Sequence, residues 1–239
     1  MALLEVAANS AASAFAAQAG GAGRVELCAS LEEGGVTPSH GTLVLAREGL
    51  DIPLYVLIRP RAGDFVYEDH EIEAMLDDIM HCRELGCDGV VVGALTPEGE
   101  VDADACQRFL EAAEGMGVTF HRAFDLVVDQ GDALETLIAL GFERVLTSGG
   151  MASAVAGAGR LARLVAQAGD RIVVMPGAGI EPGNIAALRN TTGAREFHAS
   201  AKRRLPSAMR RSPADPLGMG AGETRSDTDT VRALVAAIA

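Results

Sequence analysis

The sequence predicts one (β/α)8 TIM barrel spanning residues 1–239, and three observations predict it. Eight short apolar runs alternate with eight helical patterns, and from Leu3 to Glu196 the strand starts fall roughly 28 residues apart, a normal βα repeat. The stretch Gly89 to Gly93 is apolar throughout, as a parallel strand covered on both faces should be. Five runs end in polar or glycine-rich tips: Val25 to Cys28, Tyr55 to Arg61, Val118 to Asp125, Val145 to Gly150 and Val173 to Gly179. Chemistry gathered at one end of successive strands implies one mouth built by many loops. A doubly wound open sheet is the alternative that the same alternation allows, and no linker or composition break marks a second domain.

Taken in order, Leu3 to Ala7 is the first strand. An alanine-rich helix over Asn9 to Ala19 follows, stopped by Gly20 and Gly21. Arg24 to Cys28 is the second strand and Leu31 to Pro38 a loop; Ser39 caps a helix running to about Glu48. Leu54 to Ile58 is the third strand. Ile72, Met75, Leu76, Ile79 and Cys82 recur at helical spacing, so Asp69 to Leu85 is an amphipathic helix that Gly86 ends. Gly89 to Gly93 is the fourth strand, followed by a helix over Asp102 to Met116. Val118 to His121 is the fifth, with a helix over Asp132 to Leu140. Arg144 to Thr147 is the sixth, then a tight Ser148–Gly150 turn and a helix over Ala154 to Ala168. Ile172 to Met175 is the seventh, with a short helix over Glu181 to Arg189, and Glu196 to Ala199 is the eighth. An irregular loop, Lys202 to Arg225, leads to a last helix over Thr228 to Ile238, capped by Ser226 or Asp227.

Composition narrows the function. A net charge of −13 argues against nucleic acid, whose phosphates would be repelled. No apolar run approaches the ~18 residues of a membrane span, and Met1 to Val6 has no basic region of a signal peptide. Cys28, Cys82, Cys87 and Cys106 have neither zinc-finger nor redox spacing, which points to a reducing cytoplasm without a disulfide framework. His40, His70 and His81 are expected on the surface, and Cys82 and Cys106 as small apolar packing groups.

Strand alternation sorts the side chains. A charge does not belong under a helix, so Glu26 points into the barrel, Cys28 with it, and Glu5 likewise. By the same reasoning Arg59, His121, Glu196 and His198 converge there, either as a site or as ion pairs of a polar core. His121 has an unperturbed pKa near neutrality and suits acid–base work, with Asp125 to orient it or Arg122, and Glu26 and Arg59 beside it. Arg59 and Arg61 suit forked hydrogen bonds to a carboxylate or phosphate. Gly177, Ala178 and Gly179 end the seventh strand before a helix, where free N–H groups can cradle an anion. Ser148, Gly149, Gly150 and Ser200 stand on the neighbouring strand ends, and Lys202, Arg203, Arg204, Arg210 and Arg211 form a basic cluster in the loop beyond. Cys28, His121 and His198 are candidate metal ligands. Thiolate suits Cu(I), whereas imidazole and carboxylate suit Zn or Mn, and Cys28 is the one thiol near the mouth.

Six stretches also carry a resemblance: Arg24–Ser39, Ile58–Tyr67, Thr119–Asp125, Leu146–Gly150, Met175–Ile180 and Glu196–Ser200. In this order, and over nearly the whole chain, they resemble the CutC family of copper homeostasis proteins. The resemblance implies a cytoplasmic (β/α)8 barrel, a homo-oligomer (dimer or higher), and copper handling, with Cys28 at the family cysteine invoked for Cu(I). The loop from Ser207 to Glu223 departs from the family in detail at Pro213, Asp215 and Pro216. Two functions therefore stand open. One is a protein whose partner is a copper ion. The other is an isomerase, lyase or hydrolase whose partner is a small anionic metabolite, phosphorylated ones included. Neither involves nucleic acid or a membrane.

Overall fold

Alternation along each strand dictates the architecture. Phe120 turns outward, fully buried, and meets Phe142 edge-to-face at 5.5 Å, while Thr119 and His121 take the opposite face. The structure, a computed structural model, describes residues 2–211 and 222–239. The first half of the chain runs β1 (Leu3–Ala8), α1 (Ala11–Ala19), β2 (Arg24–Leu27), α2 (His40–Gly49), β3 (Leu54–Leu57), α3 (Asp69–Glu84), β4 (Gly89–Val92) and α4 (Ala103–Ala112). The second half runs β5 (Gly117–Phe120), α5 (Gln130–Leu140), β6 (Arg144–Thr147), α6 (Ala158–Ala168), β7 (Val173–Pro176), α7 (Ile185–Thr192) and β8 (Glu196–Ala199). A hairpin of β9 (Lys202–Leu205) and β10 (Glu223–Ser226) then precedes α8 (Thr228–Ile238).

The eight main strands form one parallel sheet in the order β7-β6-β5-β4-β3-β2-β1-β8, rolled into a nearly closed barrel with the helices outside. The end strands β7 and β8 come together where Gly177 lets His198 pack close. The main apolar core lies between sheet and helices; a smaller cluster of Cys28, Tyr55, Leu57 and Val91 fills part of the lumen. Ile72, Met75, Ile79 and Cys82 of α3 are buried as their spacing predicts, and Cys106 packs as an apolar group. Ser39 and Asp227 cap their helices, accepting from Thr42 N–H and Thr230 N–H.

Two expectations are corrected. Residues 202–225 are not irregular throughout, because β9 and β10 pair at both ends of that segment; Pro213, Asp215 and Pro216 lie outside the described residues. The seventh helix starts at Ile185 rather than Glu181, since the Asn184 side chain captures the Glu181 N–H at 3.0 Å and forms a turn first.

Candidate functional site at the barrel mouth

Register builds the interior. Glu5 on β1 stands opposite Arg24 on β2 and His198 on β8, and Ala7 stands opposite Glu26. The fully buried Glu5 carboxylate therefore pairs with Arg24 on one side and, at 2.7 Å, with His198 Nδ1 on the other. Arg24 also donates to Glu196 at 2.6 Å, and Glu196 accepts from Arg144 at 2.6 Å. Arg144 reaches Thr119 and Glu143, each at 3.0 Å. Tyr55 lies across this ionic floor, with the two guanidinium carbons 5.1 and 5.4 Å from its ring centre and its hydroxyl donating to Glu143 at 2.8 Å. Arg24, Arg144 and Tyr55 do not stand out in the sequence. Arg24 could have been found, since it shares a strand face with Glu26 two residues on.

The electrostatics differ sharply from group to group. Burial alone would raise the Glu5 pKa, but Arg24 and His198 outweigh it and hold the carboxyl at about 2. Burial pushes Glu26 up to about 7, against the pull of His198 and Arg24. Its Oε2 is buried without a hydrogen-bond partner among the described residues. Burial disfavours an imidazolium at His198, yet the carboxylates of Glu26 and Glu5 outweigh it and hold its pKa above the ordinary value.

His121 sits at the end of β5 beside Phe65, ring centres 4.8 Å apart. Its Nδ1 accepts from Ala123 N–H at 3.1 Å, so the neutral ring carries its proton on Nε2, and that atom is buried without a partner among the described residues. Burial, then the nearby Arg59 guanidinium, pushes its pKa down to about 3. Arg59 clamps two loops through the carbonyls of Glu33, Gly35 and Gly63 at 3.0, 2.7 and 2.8 Å, and keeps a buried Nε with no partner among the described residues.

Other expected site residues have different duties. Arg61 does not face the mouth: it staples its own loop to α3 through Glu71 at 2.6 Å, with Asp64 and the Val66 carbonyl. Of its two expected partners, Asp125 orients Arg122 and not His121. Its carboxylate accepts from Arg122 Nε at 2.7 Å, Thr147 Oγ1 at 2.5 Å, Ser148 N–H at 3.0 Å and Gly150 N–H at 2.9 Å. The cradle formed by Ser148, Gly149 and Gly150 is thus filled by the protein's own carboxylate, and Gly149 N–H goes to Thr147 Oγ1. The tip after β7 is different. Gly177 N–H reaches the Thr147 carbonyl at 3.0 Å, but Ala178, Gly179 and Ile180 N–H find no acceptor among the described residues. Ala178 and Gly179 take positive φ of 76° and 69°, so this tip is a tight left-handed turn. Ser200 stands half-buried at the end of β8, its carbonyl accepting from Ser226 Oγ at 3.1 Å. Lys202, Arg203 and Arg204 lie exposed on β9.

Cys28, His121 and His198 do not form one ligand set. Cys28 packs among Leu57, Tyr55 and Val91 beneath Gly35, while His121 stands on β5, away from the adjoining strands β8, β1 and β2. Burial, with Glu26 and Glu32 nearby, pushes the Cys28 thiol up, away from the thiolate that Cu(I) requires. Cys82 and Cys87 belong to the layer under the helices, with Cys106. The donors at the mouth therefore do not fit Cu(I).

A nearly closed parallel barrel with buried polar groups at the strand C-termini, some without a partner among the described residues, defines the chain as an α/β-barrel protein. The chain belongs to the CutC family, whose profile matches residues 2–203. A CutC family protein of Xylella fastidiosa (strain Temecula1) is 58% identical over 234 residues, covering 97% of this chain and 87% of its own. One from Xanthomonas campestris pv. campestris (strain 8004) is 54% identical over 232 residues, covering 97% of each. A crystal structure described as the copper homeostasis protein CutC of Streptococcus agalactiae superposes with a TM-score of 0.80 at 35% identity, covering 84% of this chain and 99% of that one.

Proposed function

We propose that this chain is a barrel enzyme that binds a small anionic metabolite in its C-terminal mouth and polarises it for isomerisation, elimination or hydrolysis. His121 carries the reading. A neutral imidazole with Nδ1 engaged and Nε2–H free is a hydrogen-bond donor waiting for an acceptor, the state in which an imidazole polarises a carbonyl. Arg59 Nε beside it and the open N–H row at Ala178 to Ile180 supply further donors for an anion. The exposed cations of β9 would draw anions towards the mouth of an otherwise acidic protein. Action in the cytoplasm belongs to the same reading, supported by four cysteines that all stand as free thiols.

The test is a melting-temperature screen of chelator-treated protein against carboxylated and phosphorylated metabolites. One chemical class should raise the midpoint by about 2–4 °C or more at saturating ligand. His121→Phe should abolish the shift and His121→Gln, which keeps a donor, should retain part of it. No stabilising metabolite, or a shift that His121→Phe leaves intact, would contradict the reading.

A further inference from the structure

Three adjoining strands, β8, β1 and β2, bring His198, Glu5 and Glu26 together inside the barrel, with one ligand-capable atom from each within 4.8 Å of the others. The two guanidinium groups of the floor do not serve all three. The Arg24 guanidinium is committed to Glu5 and Glu196, and that of Arg144 to Glu196, Glu143 and Thr119. Neither forms an ion pair with Glu26, which is buried (6% exposed) and whose Oε2 has no hydrogen-bond partner among the described residues. A carboxylate taken out of water demands a counter-charge or a proton.

His198 is held in the manner of a metal ligand. Its Nδ1 meets Glu5 Oε1 at 2.7 Å, which fixes the ring and leaves Nε2 as the remaining nitrogen. A carboxylate behind the imidazole is the usual device for orienting a ligating histidine and raising its basicity. Glu5 is in turn fixed by Arg24, so the arrangement is rigid without any ion.

We propose that Glu26 and His198, with Glu5 steadying the imidazole, form a binding site for one divalent first-row cation that prefers nitrogen and oxygen donors, of the Zn2+ or Mn2+ kind. So few protein ligands leave coordination positions for water or for a ligand entering the mouth. Cys28 is not one of the clustered donors, so this is not a thiolate copper site, and it does not depend on the metabolite-binding function.

Metal-free protein is titrated with Zn2+, Mn2+ and Co2+ separately, with no metabolite present, by calorimetry and, for Co2+, by visible absorption. One equivalent should bind. Glu26→Gln and His198→Gln should each weaken it at least about tenfold, and Cys28→Ser should leave it unchanged. His40 and His81 make a separate exposed pair, Nδ1 to Nε2 at 2.5 Å, so His40→Ala serves as the control for surface binding. Glu26→Gln keeps the size of the side chain and removes a carboxyl that neither guanidinium pairs with, so it should stay folded. Where His198→Gln, which takes away one of the two partners of Glu5, does not fold, Glu26→Gln alone decides the test. Absence of binding, binding indifferent to Glu26→Gln, or binding lost in His40→Ala or Cys28→Ser would each overturn the proposal. Because the readout is the ion alone, and the metabolite screen uses chelated protein, either idea can fail without the other.

Discussion

His121 stands out in the sequence by its residue type and position, but its charge state does not. Its ordinary pKa near neutrality suggests a proton carrier; burial beside Arg59 instead keeps it neutral and turns it into a donor. No reading of the chain could supply that, because both causes come from packing distant segments. The sign of the consequence is definite. The folded pKa lies near 3 and the unfolded one near 6.5, so between them the unfolded chain binds the proton and the native state does not. The stability contribution is complete above the unfolded value and is lost as pH falls through this window. From pH 6.5 to pH 5 the loss should be about 2 kcal/mol. Urea denaturation of wild type and His121→Phe across that range should show the slope in the first and its absence in the second; parallel pH profiles would refute it.

Glycine turns look alike in the sequence, and the two after β6 and β7 are opposite in the fold. At Ser148 to Gly150 the donors face Asp125, whereas at Ala178 to Ile180 they face no acceptor among the described residues. The periodicity of strands and helices gives both turns their places, but which turn is already filled depends on Asp125 reaching across from the segment after β5. Asp125→Ala should strand the Ser148 and Gly150 N–H groups and the Thr147 hydroxyl, and lower stability by about 3 kcal/mol. Acetate added at tens of millimolar should restore part of that loss in the variant and none in wild type. A variant as stable as wild type, or deaf to acetate, would mean that the carboxylate is not the plug. The same limits explain the last loop: β9 and β10 carry no alternating apolar pattern, so their pairing is invisible in the sequence, and α7 begins late because a side chain, Asn184, diverts the backbone first.

The barrel itself is readable because its evidence is repeated: eight apolar runs, each with its helix, admit few topologies. Its interior is half readable. Alternation turns Glu5, Glu26 and His198 inward, but the floor beneath them depends on Tyr55 lying over the glycines of two other strands. A Cβ at Gly117 would overlap the Tyr55 hydroxyl and Glu143, and one at Gly89 would overlap the Tyr55 ring. Gly117→Ala should therefore cost about 1–3 kcal/mol through overpacking, read as a lower urea midpoint; an unchanged midpoint would show that the floor is not close-packed there. The same interior bears on the wider question of function, whether this barrel works through the polar groups of its mouth or through the thiol of Cys28. The most direct measurement is Cu(I) affinity by competition with a chromogenic chelator, wild type against Cys28→Ser. The buried, protonated thiol, whose cluster holds no second sulfur among the described residues, predicts weak binding that the substitution does not change. Tight, stoichiometric binding that disappears in Cys28→Ser would contradict the account.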